Sequence, residues 1–563
     1  MHDVTLESAP STSFLAPTTL ATTDCTKNSG KGSLVSSPYY CEIVDKLRNV
    51  FRLTEFRPNQ LEAITAALGG RDVFVLMPTG GGKSLCFQLP GVCASGKTQG
   101  VTVVVSPLLA LMKDQVDSLI KKQVNALLSN AETVGEDWQL LVRNERKPKL
   151  WYVTPEKLRD SPKVNEILSI LYREKKLARF VIDEAHCIST WGQDFRDAYT
   201  SLGSLREKYP SVPIMALTAT ANKRTVKDIV TQLKLKDQAS FSQSFNRPNL
   251  KYLVQRKKPD SPIIEIVEFI QTKHRGEGGV IYCNTRAKCE SVAEVLRSKG
   301  LSAAHFHAGM STQEKDHTVC SWQNGTTLII VATIAFGMGI DKPDVRFVIH
   351  HDMPKSMSGY YQETGRAGRD GKPADCLMFF SGVDLKRLIF QIQNGDDTTP
   401  ESVQRQINAA REVIQFAENT SECRRVQILR HFDEKFAKAE CARGCDTCED
   451  GRETVSKDVT EYAQVALRLV QFLNSRKENI TLQQLKGILR GANTVEIRAK
   501  QHDKLPQYAY CESLPKELIE LMLNRLLSFD MLMNVPVKNR SGFHNDYLEA
   551  SKLFSIYSIA NLT

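Results

Sequence analysis

The strongest constraint on the fold lies at residues 73–89. An unbroken apolar run, Val73-Phe74-Val75-Leu76, reads as a buried strand. It leads into Met77-Pro78-Thr79-Gly80-Gly81-Gly82-Lys83-Ser84, and Leu85-Cys86-Phe87-Gln88-Leu89 then opens a helix. Strand, glycine-rich loop, Lys-Ser and helix in this order form the phosphate-binding loop of a nucleoside triphosphatase. The glycines let backbone N–H groups close around a β-phosphate, and the helix N-terminus adds partial positive charge. Thr79, Gly80 and Gly82 belong to this cradle, Lys83 can reach the β- and γ-phosphates, and Ser84 can offer its hydroxyl to Mg²⁺. Met77 stands where the full pattern has Gly, so the stretch taken alone also allows a structural turn.

The remainder of the chain supplies the sheet such a loop needs. Val101–Ser106, Leu150–Val153, Phe180–Ile182 and Ile214–Leu217 are short apolar runs separated by helical stretches, and the alternation ends near Leu235. After Asn246-Arg247-Pro248-Asn249 it restarts with Gly279–Cys283, Ala303–Phe306, Leu328–Val331 and Phe347–Ile349. Strands that alternate with helices predict parallel sheets covered on both faces, here two α/β lobes in tandem. Beyond about residue 384 come charged helices, a cysteine cluster, more helices and an apparent hairpin at Leu532–Phe543. Residues 1 to about 37 are rich in Ser, Thr, Pro and Ala and read as a disordered leader.

Composition narrows the function classes. With 563 residues, 41% of them hydrophobic and 25% charged, the chain has room for three or four globular domains. No apolar run approaches the roughly 20 residues of a membrane span, and the N-terminus has no signal pattern. The expectation is a soluble intracellular protein, nuclear if eukaryotic and otherwise cytoplasmic, with no membrane partner. The net charge of +10 suits a polyanionic partner. Ten of the fourteen cysteines are scattered, as expected of reduced thiols.

Two further motifs carry chemistry. Asp183-Glu184-Ala185-His186 follows the strand at Phe180–Ile182, which puts its carboxylates at a strand's C-terminal end, where open α/β sheets bind ligands. Asp183 can hold Mg²⁺ through water, and Glu184 can orient and deprotonate an attacking water. A solvated loop is the alternative for such a pair. Gln362-Glu363-Thr364-Gly365-Arg366-Ala367-Gly368-Arg369 lies at the equivalent end of the second lobe. If the lobes face each other, Arg366 and Arg369 reach across the cleft, where a guanidinium presents fixed donors to phosphate oxygens. Two surface arginines in a Gly-rich turn are the alternative.

With these stretches in hand, the chain resembles a RecQ-family helicase of superfamily 2, on its Bloom-type branch, from about Tyr40 to about Tyr547. Phe56-Arg57-Pro58-Asn59-Gln60 is similar to the family's adenine-reading motif, Ser106–Gln115 to motif Ia, Ala216–Thr220 to motif III and Ala332–Asp341 to motif V. Phe245–Leu250 is similar to its Phe-Asn-Arg-Pro-Asn-Leu stretch, and Met77 is itself family-like. The resemblance implies that Gln60 and Arg57 read the adenine with Leu53 packed on its face, and that Gln362 joins the nucleotide contacts. It implies that His186 links that site to DNA sensing. Cys187–Arg196 resembles the aromatic-rich loop, where Trp191 and Phe195 can stack on bases and Arg196 can contact phosphate or the nucleotide site. The family commonly has His at Gln193 and Pro at Asp197, so coupling through this loop departs from its pattern.

Cys423, Cys441, Cys445 and Cys448 are spaced C-x17-C-x3-C-x2-C. Four thiolates close a structural Zn²⁺ site without an open position, and a disulfide pair is the alternative. Residues 458–547 resemble the family's winged-helix domain, with a helix-turn-helix-like start at Leu482–Leu489 and a recognition helix at Pro515–Leu527. The hairpin at Asn534–Phe543 would be the wing or strand-separating pin, and Lys538 and Arg540 would meet the backbone.

The expected architecture is α/β: two tandem RecA-like parallel-sheet lobes followed by a helical zinc-binding subdomain and a winged-helix domain. Its divisions are a leader at 1–37, lobes at 38–245 and 246–384, the zinc subdomain at 385–457, the winged helix at 458–550 and a tail at 551–563. The family's further C-terminal helical DNA-binding domain and long N-terminal partner-binding region are not in this sequence, which implies a minimal member or a fragment. The resemblance implies an ATP-dependent 3′–5′ DNA helicase needing ATP, Mg²⁺ and Zn²⁺, acting on single-stranded and branched duplex DNA. A topoisomerase and a single-strand-binding protein are the protein partners it suggests. The alternatives are an RNA helicase or remodeller, against which the zinc cluster and winged helix speak, and a non-enzymatic DNA-annealing scaffold, against which the intact Lys83, Asp183, Glu184, Arg366 and Arg369 speak.

Overall fold

The computed structural model describes residues 37–130, 135–142, 147–189, 197–258, 262–337, 342–395, 399–451, 457–528, 531–538 and 544–551. The first sheet holds β1 (Val73–Leu76), β2 (Val101–Val105), β3 (Ala126–Ser129), β4 (Leu150–Val153), β5 (Leu177–Ile182), β6 (Ile214–Thr218) and β7 (Ala239–Ser242). Their order is β3-β4-β2-β5-β6-β1-β7, and every pairing is parallel. β2, β4, β5 and β6 are buried along their whole length, as expected of strands covered by helices on both faces. The two faces form separate cores. One packs Ile64, Leu89 and Leu119 onto Val75 and Val104, and the other packs Ile167, Leu171 and Ile229 onto Val103 and Phe180.

A second parallel sheet follows: β8 (Leu250–Arg256), β9 (Gly278–Tyr282), β10 (Ala303–Phe306), β11 (Ile329–Ala332), β12 (Val345–His350) and β13 (Ala374–Phe380), in the order β10-β11-β9-β12-β13-β8. The two lobes are thus present as expected. The unforeseen strands are β3, β7, β8 and β13. β3 is buried only at its two ends, β7 only at its first residue, and β8 becomes exposed at its end, so none carries the unbroken buried run of a central strand. β13 begins on Ala-Asp straight after a polar turn.

Among the described residues, the cysteine-rich segment adds to the second lobe's core instead of forming one of its own. Ile407, Val413, Ile414, Leu429 and Phe432 belong to the same cluster as Val280, Val348 and Met378 of the second sheet. The winged-helix region has its own core, built from helices Thr460–Ser475, Leu482–Leu489 and Lys516–Ser528. It is closed by an antiparallel hairpin of β14 (Leu532–Lys538) and β15 (His544–Ala550). Helix Lys516–Ser528 turns Ile519, Met522, Leu523 and Leu526 inward, and of its described side chains only Lys516, Glu517 and Leu521 are exposed. Among the described residues no helix is long and apolar enough to cross a membrane.

Candidate nucleotide site and metal centre

The order β5-β6-β1 puts the ends of three strands side by side. β1 delivers the glycine loop, β5 delivers Asp183-Glu184, and Thr218 at the end of β6 lies between them. The loop is tightly wound: Met77 N–H donates to Thr218 O (3.1 Å) and Gly81 N–H to Pro78 O (2.8 Å). Gly80 and Gly82 sit at φ +79° and +85°, where an L side chain is strained, and a Cβ at Gly81 would meet Pro78 O at 2.8 Å. The backbone thus forms a cradle that side chains would fill. Lys83 starts helix Lys83–Val92 and folds its ammonium back on Met77 O (3.3 Å), and Ser84 is half-buried next to it.

Gln60 is buried under the same loop. Its Oε1 accepts from Arg57 N–H (2.7 Å) and its Nε2 donates to Gly82 O (3.0 Å), while the Arg57 guanidinium donates to Gly80 O. The two residues expected to read a base are therefore also braces for the phosphate loop. Leu53 is 44% exposed, as an apolar platform awaiting a flat partner would be.

Asp183 and Glu184 are both buried, and Glu184 is held at φ +49°. Glu184 N–H donates to Asp183 Oδ1 (3.0 Å), and the Tyr199 hydroxyl donates to Asp183 O (2.9 Å). His186 Nδ1 lies 2.9 Å from Thr218 Oγ1 and 3.3 Å from Glu184 Oε2, which ties the β5 turn to the β6 turn. Burial, then the Glu184 charge, push the Asp183 carboxyl well above the usual carboxylate range against the pull of Lys83. Burial alone would raise Glu184 too, but the His186 hydrogen bond, Lys83, the His186 charge and Arg366 outweigh it and hold Glu184 low. Two buried carboxylates acted on by one lysine are of the oxygen-donor kind that a dication takes.

The second lobe meets this pocket. Arg366 is buried next to the Tyr282 hydroxyl, and its charge acts on Glu184 of the first lobe. Arg369 packs its stem on the phosphate loop, 3.3 Å from where a Gly80 Cβ would stand. Gln362 is half-buried on helix Met357–Thr364 just before this turn. Glu363 beside it accepts from His350 Nε2 at 2.7 Å and is not free for the cleft.

The four cysteines converge. Sγ of Cys445 lies 3.8 Å from Sγ of Cys423 and 3.7 Å from that of Cys441, and Cys448 completes a cluster whose members all lie within 4.8 Å. Metal–sulfur bonds of about 2.3 Å at tetrahedral angles place sulfurs about 3.8 Å apart, so the donor set fits Zn²⁺. The Cys423 hydrogen bond, against burial, lowers the Cys445 thiol and raises Cys423 in turn, so Cys445 is the member of the cluster favoured as thiolate before a metal displaces the other protons. No described cysteine is in a disulfide, which removes that alternative. Cys423 precedes helix Arg424–His431, and Asp446 of the ligand loop receives Arg424 on both carboxylate oxygens (2.9 and 3.2 Å).

Trp191, Phe195, Arg196 and Arg540 lie outside the described residues, as do residues 1–36 of the leader. Lys538 ends β14, and its side chain lies outside them too. Of two residues that the sequence reading named without a role, Arg247 touches both the phosphate loop and the arginine turn, and Asn249 touches the arginine turn. Arg425, which that reading passed over, donates to the linker backbone between them. Arg247 and Asn249 were marked only by their place in the Phe245–Leu250 stretch, which says nothing of their partners, and Arg425 carried no signal.

Four family descriptions match in register with these parts. DEAD/DEAH box helicase covers residues 57–229, helicase conserved C-terminal domain 261–371, RecQ zinc-binding 383–449 and RQC domain 453–553. The chain is similar to the ATP-dependent DNA helicase hus2/rqh1 of Schizosaccharomyces pombe, 45% identical over 531 residues, covering 93% of this chain and 40% of that protein. It is similar to the RecQ-like DNA helicase BLM of Xenopus laevis, 45% identical over 467 residues, covering 81% of this chain and 34% of that protein. It is 36% identical over 496 residues to the ATP-dependent DNA helicase Q1 of Pongo abelii, covering 87% of this chain and 74% of that protein. The chain thus spans well under half of the first two relatives. Among solved structures, the DNA-bound DUF1998 helicase MrfA shares the fold at 17% identity with a TM-score of 0.51, over 75% of this chain and 60% of its own. The DEAD-box helicase Mss116, bound to single-stranded RNA, does so at 17% identity and 0.50, over 73% and 90%.

Proposed function

Because this chain belongs to the RecQ family of helicases, on its Bloom-like branch, we propose that it is an ATP-dependent DNA helicase whose hydrolytic site is divided between two lobes. The observation that carries the reading is the meeting of the arginine turn with the phosphate loop and the buried Asp183-Glu184 pair. Lys83 binds the β/γ-phosphates, and Asp183 and Ser84 hold Mg²⁺. When bound, the ion neutralises phosphate charge and orients the γ-phosphoryl group. Glu184, kept ionised by His186 and Lys83, accepts the proton of the attacking water. Arg366 and Arg369 offer their donors to charge that develops on the γ-phosphate, a contribution of about 10³–10⁵ in turnover. Gln60, Arg57, Leu53 and Gln362 hold the nucleotide, and the bracing of the phosphate loop by Gln60 makes base binding felt at Gly82. His186 passes the state of Glu184 to the β6 turn and on towards the aromatic-rich loop of Trp191, Phe195 and Arg196.

The domain limits follow the sequence reading: lobes at 38–245 and 246–384, a zinc-binding subdomain at 385–457 and a winged helix at 458–550. The substrates are single-stranded and branched duplex DNA, tracked 3′ to 5′, with strands parted by the 532–550 hairpin carrying Lys538 and Arg540. A topoisomerase and a single-strand-binding protein are the protein partners, and the nucleus is the site of action in a eukaryote. The net charge of +10 and the relatives' names as DNA helicases support DNA over RNA. A gel assay on 3′-tailed, 5′-tailed and forked duplexes of DNA and RNA tests the reading. ATP-dependent opening of 3′-tailed and forked DNA is expected; opening of RNA alone, or none with active hydrolysis, overturns it.

A further inference from the structure

The segment between the two sheets is short, and its polar groups are nearly all committed. Phe245 stacks on Phe432 (ring centroids 4.3 Å apart, planes at 13°), and its carbonyl receives the Tyr361 hydroxyl at 2.8 Å. Asn249 Nδ2 donates to Gly368 O (2.9 Å) and Lys372 O (2.8 Å), which closes the turn that carries Arg366 and Arg369. Between them Arg247 spreads one guanidinium over four backbone carbonyls. Nη1 donates to Thr79 O (3.1 Å) and Gly365 O (3.4 Å), and Nη2 donates to Ala367 O (3.0 Å) and Gly368 O (3.0 Å). Thr79 belongs to the phosphate loop, and the other three belong to the arginine turn.

We propose that Arg247 is a positioning residue for ATP hydrolysis: it fastens the arginine turn of the second lobe to the phosphate loop of the first, and so sets where Arg366 and Arg369 stand. The inference rests on the divided-site reading above. A guanidinium suits the task because its five N–H groups are fixed in one plane and can satisfy several acceptors at once, which an ammonium on a flexible stem does not do. Arg247 itself is held from the other side. Arg425, 3% exposed, donates through Nη1 to Asn246 Oδ1 and Arg247 O (both 2.7 Å) and through Nη2 to Pro248 O (3.1 Å) and Leu250 O. Arg425 follows the zinc ligand Cys423 by two residues, so the metal module grips the linker from which Arg247 reaches the site. Arg247 neither needs to touch phosphate nor to accept a proton; its work is to fix the carbonyl side of a turn whose side chains do.

The test uses the full chain as wild type, Arg247→Met and Arg247→Lys. The measurements are DNA-stimulated kcat and KM for ATP, affinity for a fluorescent ADP, formation of the ADP–aluminium fluoride complex, and zinc content. Hydrogen bonds to a charged group contribute about 1.5–3 kcal/mol each, so loss of one correctly placed bond corresponds to roughly tenfold or more in rate. Arg247→Met is expected to lose at least about tenfold in kcat and to form the fluoride complex poorly, with ADP affinity and zinc content within about twofold of wild type. Arg247→Lys, which keeps the charge without the fork, should recover only part of the loss. Wild-type kcat in Arg247→Met, full recovery by Lys, or a kcat loss matched by an equal loss of ADP affinity would overturn the proposal. A wild-type chain that hydrolyses no ATP in the presence of DNA would overturn the divided-site reading itself and this inference with it.

Discussion

Gly368 offers a sharp test of how the arginine turn is built. It sits at φ +55°, and a Cβ there would run into Asn249 Nδ2 and stand 2.7 Å from Lys372 O. Placing Ala in the left-handed region costs about 1–2 kcal/mol. The two Asn249 hydrogen bonds that the methyl displaces contribute about 0.5–1.5 kcal/mol each. The present shape of the turn is therefore disfavoured by about 2–5 kcal/mol in Gly368→Ala. Because the turn is bounded by Asn249 on one side and exposed Asp370 on the other, it will shift rather than unfold the lobe. Arg369, the next residue, shifts with it. An arginine that contributes about 10³–10⁵ to turnover when placed correctly should lose much of that effect, so kcat should fall by about 10² or more. The assay is DNA-stimulated ATP hydrolysis read together with fluorescent ADP binding and the thermal midpoint. ADP affinity within twofold of wild type is expected, since the phosphate cradle is in the other lobe. A kcat within twofold of wild type would refute the account of the turn.

Three other outcomes are expected. Cys445→Ser should lower both bound zinc and the thermal midpoint, because Cys445 lies centrally among the other ligands and pairs with Tyr252 of β8; unchanged zinc by elemental analysis would remove the metal centre. His274 donates to Glu277 (2.8 Å) and Asp375 (3.2 Å), and although burial opposes it, these two partners raise its pKa above that of a free histidine. A raised folded-state pKa gives stability that is complete below the unfolded value of about 6.5 and is lost as the pH climbs through the folded value, so the gap in thermal midpoint between wild type and His274→Gln should be wider at pH 6 than at pH 9; an equal gap at both would contradict this. Trp191→Ala should keep basal ATP hydrolysis and lose its stimulation by DNA, and full unwinding by this variant would make Trp191 a packing residue.

Much of this is legible in the sequence. Central strands such as Val101–Val105 are unbroken β-branched runs, and the glycine loop announces itself because glycine takes its positive φ values without strain. The four cysteines were readable because metal ligation restricts residue type more than packing does. Edge strands such as Ala239–Ser242 were not, since a strand with one open side needs no continuous apolar pattern. Nor were the duties of Arg247, Asn249 and Arg425. They donate to backbone carbonyls, which every residue possesses, so nothing in the sequence of the partner marks the contact. Gln60 shows the same limit: its role beside a base was suggested by its motif, but its hold on Gly82 O is a fact of packing alone.

The central claim is that one hydrolytic site is assembled from both lobes, and Arg369→Ala measures it most directly. Steady-state ATP hydrolysis with saturating single-stranded DNA, paired with fluorescent ADP binding, should show turnover reduced by about 10³ while ADP affinity stays at the wild-type level, because the arginine acts on transition-state charge from the second lobe. Wild-type turnover in Arg369→Ala and in Arg366→Ala alike would mean that the first lobe hydrolyses ATP alone, and the divided site would be wrong.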